Sequence, residues 1–163
     1  VQRQDPRGDE RPPSERIDVV LPWLRCPVCR QPLSRQARRL GCAAGHGFDL
    51  ARQGYLNLAT GRAHPGTGDT TAMVEARDHV LSQGLYAPIA RAVRAAVASV
   101  GLVDGLVVDL AGGTGWYLAQ VLDAGPGMVG VCLDLSAPAL RRAARAHPRA
   151  SAVGADAWAP LPL

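Results

Sequence analysis

Apolar and polar residues change rhythm twice along this chain. Residues 1–21 begin with arginines, acids and Pro6, Pro12 and Pro13, with little to bury, and are expected to form a disordered tail. Residues 22–59 carry short apolar pieces between cysteines, which predicts small strands with Phe48, Leu50, Tyr55 and Leu56 packed beneath them. Residues 60–70, rich in glycine and threonine, read as a linker. A helical period then begins. Residues 71–85 predict one helix and 86–100 another, with apolar positions at Ile89, Ala92, Val93, Ala96, Val97 and Val100. From residue 105 the pattern becomes strand and helix in alternation: strand 105–110, helix 116–123, strand 128–134, helix 136–147, and a third strand from 151 to 154. Ser136 is the expected N-cap of the second of these helices, with Pro138 in its first turn.

The short continuous runs suit strands buried on both faces, and the β-α-β-α-β order implies a parallel sheet with right-handed crossovers. The expected class is therefore α/β, a small N-terminal module followed by part of a Rossmann-like domain over residues 71–163. The apolar stretch at 17–24 is too short to span a membrane, and no signal peptide is visible.

Candidate chemistry lies in two places. Cys26 and Cys29 form a CxxC turn, and Cys42 and His46 form a second close pair. Three thiolates and an imidazole satisfy the tetrahedral preference of zinc, and four protein ligands leave no position for a reactive water. The metal is expected to be structural. The remaining Cys132 lies in an apolar run and reads as a buried free thiol, a pattern that suits a reducing cytoplasm.

Charge sharpens the picture of the metal module. All 18 basic residues of the chain are arginine, and the formal net charge is +4. Between residues 22 and 63 seven arginines face one acid, Asp49, a local excess of +6 that a Cys3His zinc site lowers to +5. Such a module fits a polyanion, with Arg35, Arg38 and Arg39 grouped as candidate phosphate contacts. A merely solvated surface is the other reading of that charge. Trp23 and Tyr55 are expected in the core, with base stacking as the alternative.

The second place is the turn Asp109-Leu110-Ala111-Gly112-Gly113-Thr114-Gly115, between a strand and a helix. Its glycines allow a ligand close to the backbone at a helix N-terminus. Asp134 ends the next strand beside the same crevice, where a carboxylate can accept ribose hydroxyls. The spacing departs from the G-x-G-x-x-G dinucleotide fingerprint, because position 118 is leucine. Asp109 suits a ligand bearing an ammonium group, and S-adenosylmethionine combines amino acid, ribose and adenine. A nicotinamide site and a purely structural turn are the competing readings.

Taken together, the ordered motifs C-P-V-C-R-Q-P-L, C-x-x-x-H-G-F-D-L-A-R-Q-G-Y-L-N-L, G-D-T-T-A-M-V-E-A-R, G-L-Y-A-P, D-L-A-G-G-T-G-W-Y and L-D-L-S resemble the RlmA family. Its members are 23S rRNA (guanine-N1)-methyltransferases and include an actinobacterial macrolide-resistance branch. The resemblance runs from about residue 22 to Leu163. It implies zinc at Cys26, Cys29, Cys42 and His46, and S-adenosylmethionine contacts at Tyr86, Gly113 and Thr114. It also matches Asp109, Gly115 and Asp134 to the general methyltransferase pattern, and Asp156 to a place where an acid or amide meets adenine. The implied partner is a large-subunit rRNA hairpin bound in the cytoplasm, with residues 22–59 as the RNA-recognition module and a homodimer as the associated assembly. Two residues depart from the pattern. Ala111 stands where many relatives have glycine, and is expected to fit if its torsions are ordinary. Thr114 replaces an acid. The resemblance further implies a C-terminally truncated chain that stops before the family's fourth strand and leaves the first strand with an unpaired edge.

No residue presents itself as the catalytic base; His64, His79 and Asp69 are candidates by type alone. Core packing is the default for Trp116 and Tyr117, with contact at the cofactor edge as the alternative. Two other functions fit the same residues: a non-catalytic zinc-dependent RNA-binding fragment, and a methyltransferase acting on a small molecule.

Overall fold

A computed structural model describes residues 12–60 and 68–163. The chain begins with a short helix α1 (Ile17–Val20) and a 3-10 turn (Leu21–Trp23). Strands β1 (Ser34–Gln36), β2 (Arg39–Gly41) and β3 (Gly47–Asp49) then form an antiparallel three-stranded sheet. After β4 (Leu56–Asn57) come helices α2 (Thr71–Ser82) and α3 (Ala87–Ser99). The alternating part follows as β5 (Asp104–Leu110), α4 (Trp116–Ala124), β6 (Gly127–Asp134), α5 (Ala137–Ala146) and β7 (Ala150–Gly154).

The larger sheet is parallel, in the order β4-β7-β6-β5. Its outermost strand, β4, comes from the cysteine-rich module. Leu56 and Asn57 pair in register with Val153 and Gly154, and the Leu58 amide donates to the Gly154 carbonyl at 2.8 Å. Nothing in the sequence around Leu56 announces this, because a two-residue strand has no period to read. At the other side β5 pairs with β6 alone, so among the described residues its outer edge has no partner.

Alternation along β6 assigns its two faces. Val131 and Leu133 point into a core shared with Ile17, Leu24, Leu40, Leu56 and Val153. Met128 and Cys132 point the other way, against Leu118 and Leu122 of α4 and Leu140 and Ala143 of α5. Gly130 lies under α4, where a Cβ would come within 2.8 Å of Leu118. The first core contains metal-module and sheet residues together. The tail expected over residues 1–21 does not hold for 17–20, which form α1. Residues 1–11 lie outside the described part, but Ile17 and Val20 are fully buried, and the Ser151 hydroxyl donates to the Arg16 carbonyl at 2.6 Å.

Helix ends follow the expected chemistry. The Thr70 hydroxyl accepts from the Met73 amide and caps α2, and Ser136 caps α5 by accepting from the Ala139 amide. The periodic apolar face of α3 stays largely open. Ala90 is buried, but Ile89 and Val93 are exposed, because no described element lies over them. Trp23, expected in the core, is on the surface.

Ala111 corrects an expectation. Its φ is +53°, so it occupies the left-handed region, as do Gly113 (+57°) and Gly115 (+72°). The turn alternates left-handed residues, and an L-side chain at the first of them is strained by about 1–2 kcal/mol. Ala111→Gly should remove that strain, against about 0.5–1 kcal/mol of extra unfolded-state entropy. The expected net effect is a gain of up to about 1.5 kcal/mol in chemical denaturation; a loss above about 0.5 kcal/mol would contradict it.

Candidate functional site

The metal ligands converge from two backbone turns. In the first, the Cys26 amide donates to the Gln31 carbonyl and the Arg30 amide to the Cys26 carbonyl, with Arg30 at φ +63°. In the second, the Cys42 amide donates to the His46 carbonyl and the Gly45 amide to the Cys42 carbonyl. Gly45 has φ +85°, which lets the chain reverse between the two ligands. The four ligand atoms all lie within 4.8 Å of one another. Cys29 Sγ to Cys42 Sγ is 3.6 Å, Cys42 Sγ to His46 Nδ1 is 3.4 Å, and Cys26 Sγ to His46 Nδ1 is 3.7 Å. A tetrahedron with Zn–S of about 2.3 Å and Zn–N of about 2.0–2.1 Å has edges of about 3.5–3.8 Å. The donor set fits zinc.

The thiols are unequal. Burial raises the Cys42 pKa, but contacts from the His46 ring and backbone and from Cys29 bring it down to about 6. At Cys29 the Gln31 backbone lowers the pKa, while burial and the sulfurs of Cys26 and Cys42 push it up, and the rise wins. Crowded thiols cannot all ionise without a cation, and zinc supplies that charge. Cys26 and Cys42 are also part of the shared core. Cys42→Ser should therefore abolish stoichiometric zinc and lower the thermal midpoint by roughly 10 °C or more. Metal analysis together with calorimetry checks this; an unchanged midpoint in a zinc-free protein would contradict a structural role.

The second site lies at the carboxyl ends of β5, β6 and β7, where ligands bind in open parallel sheets. A cavity of about 550 Å³ is lined by Tyr86, Asp109, Gly113, Thr114, Trp116 and Tyr117, with residues of α2. A smaller one of about 280 Å³ contains Asp134, Asp156 and Trp158. Arg77 and Ala111 line both, so the two are lobes of one crevice. Six of the seven expected cofactor residues line it. The seventh, Gly115, stands behind as the left-handed N-cap of α4, packed against Ala143, where a Cβ would be 3.3 Å from that residue. Trp116 and Tyr117 are half-buried, stacked edge to face with centroids 4.9 Å apart, and belong to the crevice wall rather than the core.

Asp134 is held by backbone donors. Its Oδ2 accepts from the Gly113 amide at 2.9 Å and its Oδ1 from the Ser136 amide at 2.7 Å. A carboxylate has about four acceptor sites, so two remain for a ligand. Asp156 Oδ1 accepts from the Trp158 amide at 2.9 Å. Asp109 is different: its Oδ2 is buried without a hydrogen-bond partner, as is the Thr114 hydroxyl. Gly112 makes room for the Asp109 side chain, since a Cβ there would lie 2.6 Å from Asp109 Oδ2 and 2.7 Å from Cys132 Sγ. Burial first, and the Asp134 charge second, raise the Asp109 pKa, against a lowering contribution from the Leu118 backbone. Asp109 and Thr114 both line the larger lobe, and an acidic residue in that wall suits a ligand with a cationic donor. Cys132, buried beneath them, is a free thiol whose pKa burial pushes up.

The other candidates do not converge here. His79 is exposed on α2 and lines neither lobe, and His64 lies outside the described residues. Asp69 lines the smaller lobe but is ion-paired to Arg77. Arg77 is the site residue that sequence reasoning missed; the motif G-D-T-T-A-M-V-E-A-R contains it, but spacing alone does not place a helix residue over a distant turn. In the basic module Arg38, Arg39 and Arg52 are exposed, whereas Arg35 is paired with Asp18 at 2.6 Å.

Asp109 also gives a signed prediction. Because its folded-state pKa is raised, the protonated carboxyl stabilises the unliganded fold, and that contribution is lost as pH rises through the raised value. Above that raised value the ionised carboxylate is a standing cost. Asp109→Asn should raise the thermal midpoint of the unliganded protein by a few degrees and flatten its dependence on pH above the ordinary aspartate range. A lowered midpoint at pH 7 would contradict it.

Comparison with known proteins bears on both sites. Residues 24–59 match the family model described as RlmA, N-terminal, a zinc ribbon. A protein named putative 23S rRNA (guanine-N(1)-)-methyltransferase from Micromonospora griseorubida is 52% identical over 162 residues, which is 88% of this chain and 55% of the relative. A 23S rRNA (guanine(748)-N(1))-methyltransferase from Streptomyces fradiae is 49% identical over 147 residues, covering 88% of this chain and 52% of the relative. The chain thus spans about half the length of the curated relatives it matches.

Proposed function

We propose that this chain, which carries the RlmA-type zinc ribbon and is related over most of its length to 23S rRNA (guanine-N1)-methyltransferases, binds S-adenosylmethionine and serves methylation of N1 of a guanine in a large-subunit rRNA hairpin. The observation that carries the reading is the crevice that brings Asp109, with its unpartnered Oδ2, beside the backbone-held Asp134. In this reading Asp134 accepts the ribose hydroxyls, and Asp109 meets the ammonium of the methionine portion. Gly113 and Gly115 bring the backbone close, the Thr114 hydroxyl offers the polar contact that an acid makes in relatives, and Tyr86 covers the amino-acid end. Asp156 faces adenine from the smaller lobe.

When bound, the cofactor supplies an activated methyl group on a sulfonium. What the protein adds is position: the glycine turn and α4 hold the sulfonium side of the crevice while the ribose is anchored at the end of the adjacent strand, β6. N1 lies on the base-pairing edge, so the target guanine must be presented unpaired. Residues 22–59 act as the RNA-recognition module, with exposed Arg38, Arg39 and Arg52 against phosphates. Residues 71–163 form the cofactor-binding part, joined by the 60–70 linker. None of the described helices is long and apolar enough to cross a membrane. The cytoplasm is the proposed location, since the substrate is ribosomal RNA, and a homodimer is the proposed assembly.

Calorimetric titration of S-adenosylmethionine into the zinc-loaded protein tests the first half of the reading. Saturable binding is expected, weakened at least about tenfold in Asp134→Ala through loss of a charge-assisted hydrogen-bond pair. Absence of binding by the folded protein would contradict it. The second half is tested by incubating cofactor, protein and large-subunit rRNA and then mapping primer-extension stops, which a methyl on N1 produces by blocking pairing. A stop at one hairpin guanine is expected; a bound cofactor with no RNA methylation would overturn the substrate assignment for this chain.

A further inference from the structure

The feature that the proposed site leaves unused is Arg77. It projects from α2 to the junction of the two lobes and lines both. A Cβ on Gly113 would sit 3.3 Å from its Nη1, so the guanidinium lies over the glycine turn. Its position is over-determined. Asp69, just before the Thr70 cap of α2, ion-pairs with Arg77 Nη1. The Asp69 carbonyl accepts from the Ser136 hydroxyl at 2.7 Å, and Gly68 lies close enough to Ser136 that a Cβ would be 3.2 Å from its Cα. Ser136 in turn donates its amide to Asp134, and Asp134 accepts from Gly113. Gly113, Asp134, Ser136, Asp69 and Arg77 therefore close a circuit around the crevice. Surface ion pairs contribute little alone, but one built into such a ring holds a side chain in place.

Arg77 brings a positive charge to the cavity that the half-buried Asp109 carboxylate also lines, its Oδ2 without a hydrogen-bond partner. A cavity lined by one cation and one anion matches a zwitterion, and an α-amino acid carries both charged groups on one carbon. Guanidinium has five donors in a planar fork suited to a carboxylate. Asp69 engages one arm, and no other acceptor among the described residues holds the rest. We propose that Arg77 reads the α-carboxylate of the amino-acid end of the cofactor while Asp109 takes its α-ammonium, with Asp69 as the residue that positions Arg77. This rests on the S-adenosylmethionine reading above and adds a basis for choosing molecules that carry an intact amino acid.

The test compares S-adenosylmethionine with its decarboxylated analogue, which keeps sulfonium, ribose, adenine and amine but lacks the carboxylate. Calorimetry on the full zinc-loaded chain should show wild type preferring S-adenosylmethionine by about 10–100-fold, the range of a charge-assisted pair. Arg77→Met should lose that preference, binding S-adenosylmethionine as weakly as the analogue and the analogue as well as wild type does. Arg77→Lys, which keeps the charge without the fork, should retain part of the preference and gives a reading if Arg77→Met folds poorly. Asp69→Asn should weaken S-adenosylmethionine alone, and by less than Arg77→Met. Equal weakening of both ligands in Arg77→Met would overturn the proposal and make Arg77 a wall of the crevice. So would a wild type that does not distinguish the two ligands, or a variant that loses RNA affinity with cofactor binding intact. Binding of neither ligand by wild type is a different failure, that of the nucleoside reading itself.

Discussion

A single hydrophobic core spans the metal module and the parallel sheet, and the rest of the molecule depends on it. Leu24, Leu40 and Leu56 come from the module, Val131, Leu133 and Val153 from the sheet, and Ile17 from the helix before either. Each such side chain contributes about 1.5–3 kcal/mol when buried. Cys26 and Cys42 belong to the same cluster, so the metal ligands are positioned by the packing that also covers one face of β6 and β7. The backbone adds β4, a strand given by the module to the sheet. Further on, the Arg25 amide donates to the Pro162 carbonyl, and Arg30 donates to the Leu161 carbonyl and, at 2.8 Å, to that of Leu163. The module is thus tied to both ends of the segment that carries Asp156.

That arrangement explains how the crevice tolerates its charge pattern. Asp109, Asp134 and Asp156 all line one crevice, and Asp109 Oδ2 is left without a hydrogen-bond partner. Such a site destabilises the unliganded fold, and the surrounding rigid core holds it open. Alternating left-handed torsions at 111, 113 and 115 bring the backbone under the cavity floor. In the proposed function, Asp109 and Asp134, whose like charges raise the cost of the empty site, are the groups that attract the cofactor.

Much of this was legible in the sequence, for reasons that differ by element. The metal site could be read because four ligand types in two short-range pairs encode their own geometry. The alternating strands and helices were legible from composition and period, and Ser136 and the left-handed glycines follow from local chemistry. Three features were not. The partnership of β4 with β7 joins residues about a hundred positions apart through two residues. The strain at Ala111 depends on a torsion that no residue type declares, and alanine there argues against it. Arg77 reaches the crevice through a ring of contacts among Asp69, Ser136 and Asp134; each of these three could be singled out on other grounds, but nothing local links them to a helix residue. The α3 stripe shows the converse: Ile89 and Val93 repeat at helical spacing, yet no described element buries them.

The central claim is that metal module and parallel sheet fold as one unit. Replacing zinc by cobalt(II) gives the Cys3His site a visible absorption that vanishes when the ligands separate. Unfolding in denaturant should be followed simultaneously by that absorption and by far-ultraviolet circular dichroism, which reports mainly α2–α5. Coincident transitions with one midpoint are predicted, as expected for a cooperative unit. Loss of the metal band at clearly lower denaturant than the helical signal would contradict the claim and leave the module as a separable appendage.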